Sequence, residues 1–570
     1  MRSGVSAVIT RSISERFAAR LTGVLAIFGL CGAIPVAGAN PPDGAGSYDD
    51  LVRLFEEFVD WRTAQTDERV IRDYSQGAVD RRIAKVHDFQ RRAADMGVAD
   101  WSRSERVDYL AVLSQLDEQE FTLRVTRPWS RDPGYYVDRI RDVAFTELPV
   151  AGAERRDLIT RLRQVGDLTE SAKSNLRDVP ADLADLALHN LSTADGVGSF
   201  QPHRDTPPEG VLGWYDDLIE RARVKQPKLV PDIEAARESV RDFNAWLLEN
   251  RARMTGPAGI GEALLDWYLL QVKYMPYSSD EIVVLAQREV ERLEAFIALE
   301  RHRFRHLPEL DLPASSEEYD ERLADVDADI RAFMVEEAFM TIPDYMPDDY
   351  REMRLPVPWI VRPTGPNYWE AIQYRDPSPD HWHATIPGHG FDGQIRARNT
   401  HPIRRHLRDG GRAEGWGVYV EEAPLQLGFY DRDRQRTREL IYNFGLFRAV
   451  RTLGDVWMQR NEMGADQVAE YWMRMTPFLD ADVARVDAEI YLRRPPGYGL
   501  GYTIGAFQMY RLLADRKRQL GDDFVLLEFH DRFIQAGWLP IALIRYEMTG
   551  IDDEMRLFWD RTPLSQVIGN

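Results

Sequence analysis

The sequence predicts a mainly α-helical protein with one small β-sheet. Apolar residues recur every three to four positions through most of the 570 residues, which is the spacing of an amphipathic helix. One stretch, residues 355–374, is instead rich in Val, Ile, Trp and Tyr, the residues that strands favour. The composition, 44% hydrophobic and 29% charged, is ordinary for a globular protein. We therefore expect a helical body with a sheet beside it.

The N-terminus carries the pattern of a secretory signal peptide. Four arginines precede the apolar stretch 21–30, and small residues follow up to an Ala-x-Ala end at Ala39. This arrangement predicts cleavage after Ala39 and a periplasmic or secreted protein. A membrane anchor is the alternative, but glycines and a proline interrupt a run shorter than the about 20 apolar residues that a span needs. Cys31, the only cysteine, lacks the small preceding residue of a lipoprotein signal.

The net charge argues against two classes of partner. The chain carries −21, and residues 1–39 hold four Arg and one Glu, so the mature protein is near −24. Such a charge disfavours nucleic acid and anionic membrane surfaces. No later stretch is long and apolar enough to span a bilayer. We expect one domain, 40–570, with a helical half at about 40–255 and a site-bearing half at about 256–570; the oligomeric state stays open.

Individual elements follow from caps and periodicity. Residues 100–125 form one helical run, Ser279-Asp280 caps a helix over 281–302, and Ser315 opens another that reaches about 337. Residues 355–362 and 367–374 are predicted as the two strands of the sheet, joined by a Pro-rich turn. Helices resume after about Gly410.

A cluster of histidines follows the predicted strands. Five of the 11 histidines fall within 26 residues: His381, His383, His389, His401 and His406. Neutral imidazole is the commonest protein ligand for zinc. Six residues apart on one helix, His383 and His389 would point in different directions. Pro387-Gly388 breaks the helix between them and lets both side chains turn to one point.

Two further segments add groups to this cluster. Glu414 and Glu421 are seven residues apart and so share a helical face. Two His followed by a Glu on a second helix is the ligand pattern of His₂Glu catalytic zinc sites. Further on, Tyr498 and Tyr502 lie in a Gly-rich segment, 493–505. They are placed either to donate to a developing oxyanion or simply to pack at a helix start.

These motifs together resemble a known family. The order and spacing of His-x-x-x-Pro-Gly-His, Glu-Gly-Trp-x-x-Tyr-x-Glu and Pro-Gly-x-x-x-x-Tyr-x-x-Gly are similar to the bacterial "domain of unknown function 885" family. Residues 127–135 resemble its N-terminal region more weakly. That family in turn resembles gluzincin-type zinc metallopeptidases, including the carboxypeptidase Taq and angiotensin-converting-enzyme-like groups. The resemblance implies a helical metallopeptidase-like body with a small sheet beside the active-site cleft.

The resemblance also implies roles for individual residues. It makes His383, His389 and Glu414 the ligands of a divalent metal, in the first place Zn²⁺, although Mn²⁺ or Fe²⁺ also suit such a set. It places Glu421 behind these ligands and makes Tyr502 a donor to the transition state.

One position departs from the family pattern. The pattern begins His-Glu, with Glu as the general base that deprotonates metal-bound water, and this chain has Ala384 there. Three functions stay open: a hydrolase with a substitute base, a lyase that uses the metal as a Lewis acid, and an inactive binding protein. The coverage of the resemblance favours the hydrolase. The candidate substitute bases are Glu421, Asp380 and His381.

The substrate is expected to be a peptide or another small organic molecule. Several arginines near the cluster are suited to bind a substrate carboxylate, and ordinary ion pairs are the alternative for each. These are Arg396, Arg398, Arg404, Arg405, Arg493 and Arg494.

Overall fold

α-Helices make up the regular structure of the computed structural model, which describes residues 41–42, 44–67, 70–193, 204, 207–362 and 365–568. The predicted signal peptide, 1–39, lies outside the described residues. From Pro41 onward these residues form one unit. The helices of this part are α1 Tyr48–Thr66, α2 Gln76–Ala94, α3 Arg103–Phe121, α4 Pro128–Arg131, α5 Gly134–Ala144, α6 Gly152–Asn175, α7 Ala181–Ser192, α8 Gly210–Lys225, α9 Val230–Asn250, α10 Glu262–Gln271, α11 Ser279–Arg303, α12 Ser316–Glu336, α13 Tyr350–Met353, α14 Tyr368–Arg375, α15 Ser378–Asp380, α16 His389–Ala397, α17 Gly410–Leu427, α18 Thr437–Gln459, α19 Ala465–Met475, α20 Ala481–Arg493, α21 Leu500–Leu520, α22 Leu526–Gln535, α23 Ile541–Thr549, α24 Met555–Trp559 and α25 Leu564–Ile568. Shorter π and 3-10 turns are Thr122–Thr126, Pro227–Leu229, Arg251–Arg253, His381–Thr385, Arg404–His406 and Gly521–Asp523.

Serine caps begin the three helices that the sequence predicted most clearly. The hydroxyls of Ser102, Ser278 and Ser315 each accept a backbone N–H three residues ahead, at the starts of α3, α11 and α12. An N-cap of this kind satisfies one of the helix's free N–H groups. The cap of α11 is Ser278 rather than the predicted Ser279-Asp280. The mainly α-helical class is confirmed.

The predicted β-sheet is wrong. Within the described ranges no strand forms, and residues 355–362 run as irregular chain. Pro356 and Pro358 have no N–H to donate to a ladder. A tyrosine side chain holds the segment instead. The hydroxyl of Tyr374 donates to the carbonyl oxygen of Pro358 at 2.8 Å and accepts from the backbone N–H of Ile360 at 2.8 Å.

The second predicted strand, 367–374, is instead α14. The side chain of Asn367 accepts from the N–H of Glu370 at 3.0 Å, and the carboxylate of Glu370 accepts from the N–H of Asn367 at 3.0 Å. This reciprocal pair is a capping box, which starts a helix. Glu370 also receives the guanidinium of Arg362. The capping signal therefore overrides the aromatic and β-branched composition.

The two largest apolar cores of the described residues lie beneath the helices. Helices α5 to α9 pack around Trp214 and Tyr215, while α1, α3, α11, α12 and most helices from α14 to α24 share a larger core that includes Trp382 and Trp416. The histidine segment and α17 belong to this larger core. None of the helices in the described part is long and apolar enough to cross a bilayer.

Glycines bring α17 and α21 into backbone contact. A Cβ added to Gly415 would lie 2.6 Å from the Cα of Gly505, and one added to Gly501 would lie 2.8 Å from the Cα of Gly411. Distances this short leave no room for a side chain, so only glycine permits the approach. The contact places Glu414 of α17 against Tyr498, which lies just before α21.

Candidate metal centre

A tight turn brings His383 and His389 together. His383 lies in the π turn before Pro387, and His389 is the first residue of α16. A Cβ on Gly388 would lie 1.8 Å from the carbonyl oxygen of His383, so the chain folds back on itself at a position that only glycine can fill. The two imidazole rings face each other edge to face, with their centroids 4.6 Å apart. The predicted helix break between the two histidines is present.

Helix α17 supplies the carboxylates from the other side. Glu414 and Glu421 lie on one face of it, and Gly417 stands between them where a Cβ would come within 2.4 Å of Cε1 of His383. The glycine therefore leaves the space that the imidazole ring occupies. The indole N–H of Trp416 donates to the carbonyl oxygen of Pro387 at 2.9 Å and fastens the helix to the turn.

His383, His389 and Glu414 converge on one point. Their nearest ligand atoms lie within 4.8 Å of one another. One carboxylate oxygen of Glu414 is 3.3 Å from Nε2 of His383 and 3.2 Å from Nε2 of His389. Zinc holds such ligands at about 2.0–2.2 Å, which places tetrahedral neighbours about 3.4 Å apart. The spacing and the donor atoms thus fit a small divalent cation.

Glu421 positions the first histidine. Its Oε1 is 2.7 Å from Nδ1 of His383, so this carboxylate accepts the Nδ1–H and leaves Nε2 facing Glu414. The guanidinium of Arg448 donates to both oxygens of Glu421, at 2.5 and 2.6 Å. Both residues are buried. Sequence reasoning did not include Arg448, although a charged residue within the apolar run of α18 is the signal that marks it.

The charges of these groups stabilise one another. Burial alone lowers the pKa of His383, but the carboxylates of Glu421 and Glu414 outweigh it, and the net shift is upward. Burial raises the pKa of Glu414, but His389 and His383 more than offset this, and its pKa lies well below the usual range. Glu414 is therefore an ionised carboxylate at neutral pH, as a metal ligand must be.

The two tyrosines approach the site through Glu414. The hydroxyl of Tyr498 donates to Oε1 of Glu414 at 2.9 Å and lies 3.3 Å from the hydroxyl of Tyr502. The ring of Tyr502 stacks beside His383, and the guanidinium of Arg451 covers it at 4.7 Å. Burial and the charge of Glu414 raise the pKa of Tyr498 to about 12 and that of Tyr502 well above its usual value. Both phenols are protonated donors at neutral pH.

Residues 60–548 match the family model described as "Bacterial protein of unknown function (DUF885)". The chain belongs to this family. The match confirms the family that the three motifs indicated. No curated protein is similar to this DUF885 chain at a significant level.

Two solved structures share the fold of this DUF885 protein. One is described as a "putative lipoprotein of unknown function" from Shewanella oneidensis, with a TM-score of 0.65, 16% identity, and coverage of 88% of this chain and 100% of that chain. The other is a "putative lipoprotein" from Colwellia psychrerythraea, with a TM-score of 0.63, 16% identity, and coverage of 88% and 98%. At this identity the likeness shows the fold alone.

The remaining candidate bases of the DUF885 chain are engaged elsewhere. The Nε2 of His381 is 2.9 Å from Oδ1 of Asp327 on α12, and its ring packs against Tyr350. Asp380 adds negative charge beside Tyr319, also on α12. Neither is brought to the His383, His389 and Glu414 group in the part of the chain that the structure describes. The structure thus gives no support to either as the substitute base.

His530 is a packed residue. Its Nε2 lies 2.7 Å from the hydroxyl of Tyr419, and its Nδ1 lies 2.6 Å from the carbonyl oxygen of Phe339. Burial lowers the pKa of His530 to about 4. This histidine is therefore neutral and supports α17 from behind.

Proposed function

We propose that this DUF885 protein is an exported, metal-dependent enzyme, in the first place a hydrolase of peptides or other small organic substrates. The observation that carries the proposal is the convergence of His383, His389 and Glu414 within 4.8 Å. His383 and Glu414 are buried and His389 is half-buried, and one oxygen of Glu414 faces both imidazoles at the spacing of ligands around one ion. That ion would be a divalent cation, first of all Zn²⁺, with Mn²⁺ or Fe²⁺ as alternatives.

The supporting residues match a working metal site better than a packed remnant. Glu421 fixes the tautomer and orientation of His383, and Arg448 in turn fixes Glu421. Outer contacts of this kind tune affinity in metal enzymes. The hydroxyl of Tyr498 already donates to Glu414, so the protonated hydroxyl of Tyr502 is the donor for negative charge that develops on a substrate oxygen.

The bound cation would supply Lewis acidity and lower the pKa of water to about 7. The residues around it must then place the substrate and move protons. Glu421 is committed to His383 and Arg448 with both oxygens, so it is a positioning residue and not a free base. Ala384 contributes no proton acceptor. Hydrolysis here would therefore depend on the cation and on donation from Tyr502, without a neighbouring carboxylate base.

Ala384, which stands in place of a carboxylate base, favours a lyase as the second candidate. A site with a protonated hydroxyl donor and no carboxylate base polarises a substrate oxygen but activates water poorly. Elimination needs the first property and no activated water; the proton that leaves the substrate would pass to solvent or to the departing group. A binding protein without catalysis is the third reading, and the arrangement of Glu421 and Arg448 behind the ligands counts against it.

Export is proposed on two observations. The N-terminal basic and apolar pattern ends in small residues at Ala39. The structures that share the fold are described as lipoproteins, which are exported proteins. A direct test is the mass of the protein recovered from the periplasm, which would begin at Asn40 after the predicted cleavage.

Metal content tests the site. We expect about one ion per chain after zinc loading and dialysis, measured by elemental analysis. His389→Ala should lose it because one of three ligands is gone, while His302→Ala, a histidine exposed on α11, should keep it. A wild-type protein that retains no zinc, manganese or iron would refute the enzyme proposals together.

Isotope labelling separates hydrolysis from elimination. The zinc-loaded protein is incubated with a mixed tripeptide library in ¹⁸O-enriched water, and products are read by mass spectrometry. A mass increase of one heavy oxygen in the new carboxylate supports the hydrolase, and an unlabelled, unsaturated product supports the lyase. The purified product incubated alone in the same water controls for exchange. The absence of any product from a metal-loaded protein would leave the binding reading.

A further inference from the structure

The structure sorts the arginines that the sequence placed near the site. Arg404 pairs with two buried or half-buried carboxylates, Arg405 lies near Glu56, and Arg493 pairs with carboxylates of its neighbours. Arg398 donates to the side chain and carbonyl oxygen of Gln394. These four arginines therefore have ordinary structural partners and are not needed to explain substrate binding.

Arg396 and Arg494 are different, because each guanidinium lies on an aromatic face and, within the described residues, donates no hydrogen bond. Arg398, by contrast, lies over the ring of Tyr345 and donates to Gln394. The guanidinium of Arg396 is 5.0 Å from the ring centroid of Trp538, and that of Arg494 is 4.3 Å from the ring centroid of Tyr498. Among the residues that the structure describes, no carboxylate comes within ion-pair distance of either guanidinium. A guanidinium held on an aromatic face keeps its N–H edge available for a further acceptor.

The acidic residues nearest to these two arginines are already occupied. Asp392, one turn before Arg396 on α16, is bound by the buried guanidinium of Arg412. Arg451 binds Asp487 at 3.0 Å. Burial raises the pKa of Asp487, and the charges of Arg451 and Arg494 offset part of this rise. Asp392 and Asp487 therefore act on Arg396 and Arg494 only through their nearby charge, and the N–H groups of the two guanidiniums remain available to a bound anion.

Both arginines flank the candidate metal centre. Arg396 follows His389 by seven residues on α16, so the two share a face and lie about 10 Å apart along the helix axis. On the other flank, Arg494 covers the tyrosine whose hydroxyl donates to Glu414. His389 and Tyr498 are only half-buried, so solvent reaches the candidate centre beside these two residues, which are the ones next to the arginines.

A third arginine strengthens the positive charge on the α16 flank. Arg408 is exposed. The backbone N–H of the next residue, Asp409, donates to the carbonyl oxygen of Trp538, the residue on whose ring Arg396 lies. Burial and the charge of Arg408 together lower the pKa of Arg396, so the two cations are close. Like charges placed side by side are destabilising unless an anion joins them.

We propose that Arg396, Arg408 and Arg494 bind the carboxylates of an extended acidic peptide that lies across the metal centre. This inference rests on the proposed enzyme function and names its substrate class. The length is set by the spacing: an anionic group on Arg396 stands about 10 Å from His389, and another on Arg494 lies on the opposite flank. A chain with net charge −21 repels anions in general, so local cations are needed to admit an acidic substrate.

Calorimetric titration with two matched peptides tests the proposal on the full mature chain. Triglutamate and triglutamine have the same length and backbone and differ in charge. We expect the zinc-loaded protein to bind triglutamate at least about tenfold more tightly at low salt, and the preference to shrink at 0.3 M NaCl, where charges are screened. Triglutamine should bind equally at both salt concentrations.

Single substitutions assign the preference to these arginines. Arg396→Gln and Arg494→Gln should each weaken triglutamate binding about three- to tenfold and leave triglutamine unchanged. Arg398→Gln is the matched control. It removes the same charge two residues further along the chain, at the residue that follows the end of α16 and points away from His389, and should change triglutamate binding less than twofold.

Two results would overturn the inference. One is equal binding of the two peptides by a zinc-loaded protein. The other is a loss in Arg398→Gln as large as in Arg396→Gln, which would reduce the effect to overall charge. The zinc-free protein separates this inference from the proposed function: a protein that takes up no metal yet prefers triglutamate through Arg396 retains the anion subsite and loses the enzyme proposal.

Discussion

Glu421→Gln is the substitution that most directly probes how the candidate metal centre is held. Glu421 is 1% exposed, accepts Nδ1–H of His383 at 2.7 Å, and receives two N–H donors from Arg448. Glutamine keeps the size but replaces one acceptor oxygen with an NH₂ group. That group faces the guanidinium of Arg448, donor against donor, so the amide loses an ion pair and must choose which neighbour to satisfy.

The expected effect is on metal affinity. Loss of the carboxylate behind a metal-binding histidine costs about 10- to 100-fold in affinity, which is about 1.4–2.8 kcal/mol. Competition with a chromophoric zinc chelator at pH 7.5 measures it. The unfolding midpoint of the metal-free protein, recorded in parallel, separates the loss of affinity from a loss of folding.

Glu422→Gln is the matched control for this prediction. Its carboxylate is next in sequence but turns to Arg292 and Tyr510 instead of His383. It should leave zinc affinity within twofold of wild type. If Glu421→Gln binds zinc as tightly as the wild type, or if Glu422→Gln is weakened equally, Glu421 does not position the histidine and the account of the centre is refuted.

Three further predictions follow from other contacts. Gly415→Ala should destabilise the fold by about 1–3 kcal/mol through overpacking against Gly505, whereas Gly393→Ala, in open space within α16, should stabilise it by about 0.5–1 kcal/mol; equal thermal midpoints would contradict this. Ala384→Glu should raise peptide hydrolysis by the zinc-loaded protein about 100-fold if the site lacks only a base, and no gain would argue for the lyase. Folding lowers the pKa of His530 from 6.5 to about 4. The free energy of unfolding is therefore highest above pH 6.5 and decreases by about 3 kcal/mol as the pH falls towards 4, because the unfolded state takes up the proton first. His530→Gln should flatten the dependence of the unfolding midpoint on pH over that range.

The sequence could predict that His383, His389 and Glu414 come together, because the signals for this grouping are local. The Pro387-Gly388 break between two histidines and the seven-residue spacing of Glu414 and Glu421 each determine directions over one or two helical turns. The wrong prediction of the sheet also has a local cause, which acts over a single helical turn. Composition favoured strands, but the capping box at Asn367 decides the conformation of the residues that follow it.

Contacts between distant segments were beyond such reasoning. Arg448 lies 27 residues after Glu421, and nothing in the spacing shows that α18 turns this guanidinium towards α17. The sequence also does not show that Arg396 lacks an ion-pair partner. This depends on Arg412, which binds the nearby carboxylate of Asp392. A charged residue inside an apolar run, such as Arg448, indicates a buried charge, but it does not show which residue that charge binds.

The glycine contact between α17 and α21 has a consequence for engineering. Backbone touches backbone at Gly415 and Gly505, so the gap between Glu414 and Tyr498 is a fixed dimension that no repacking of side chains can adjust. Libraries that aim at new substrates should therefore leave these glycines untouched and vary the groups carried on the rigid frame. Substitutions at Ala384, Arg396 and Arg494 would change the groups beside the candidate centre without changing that distance.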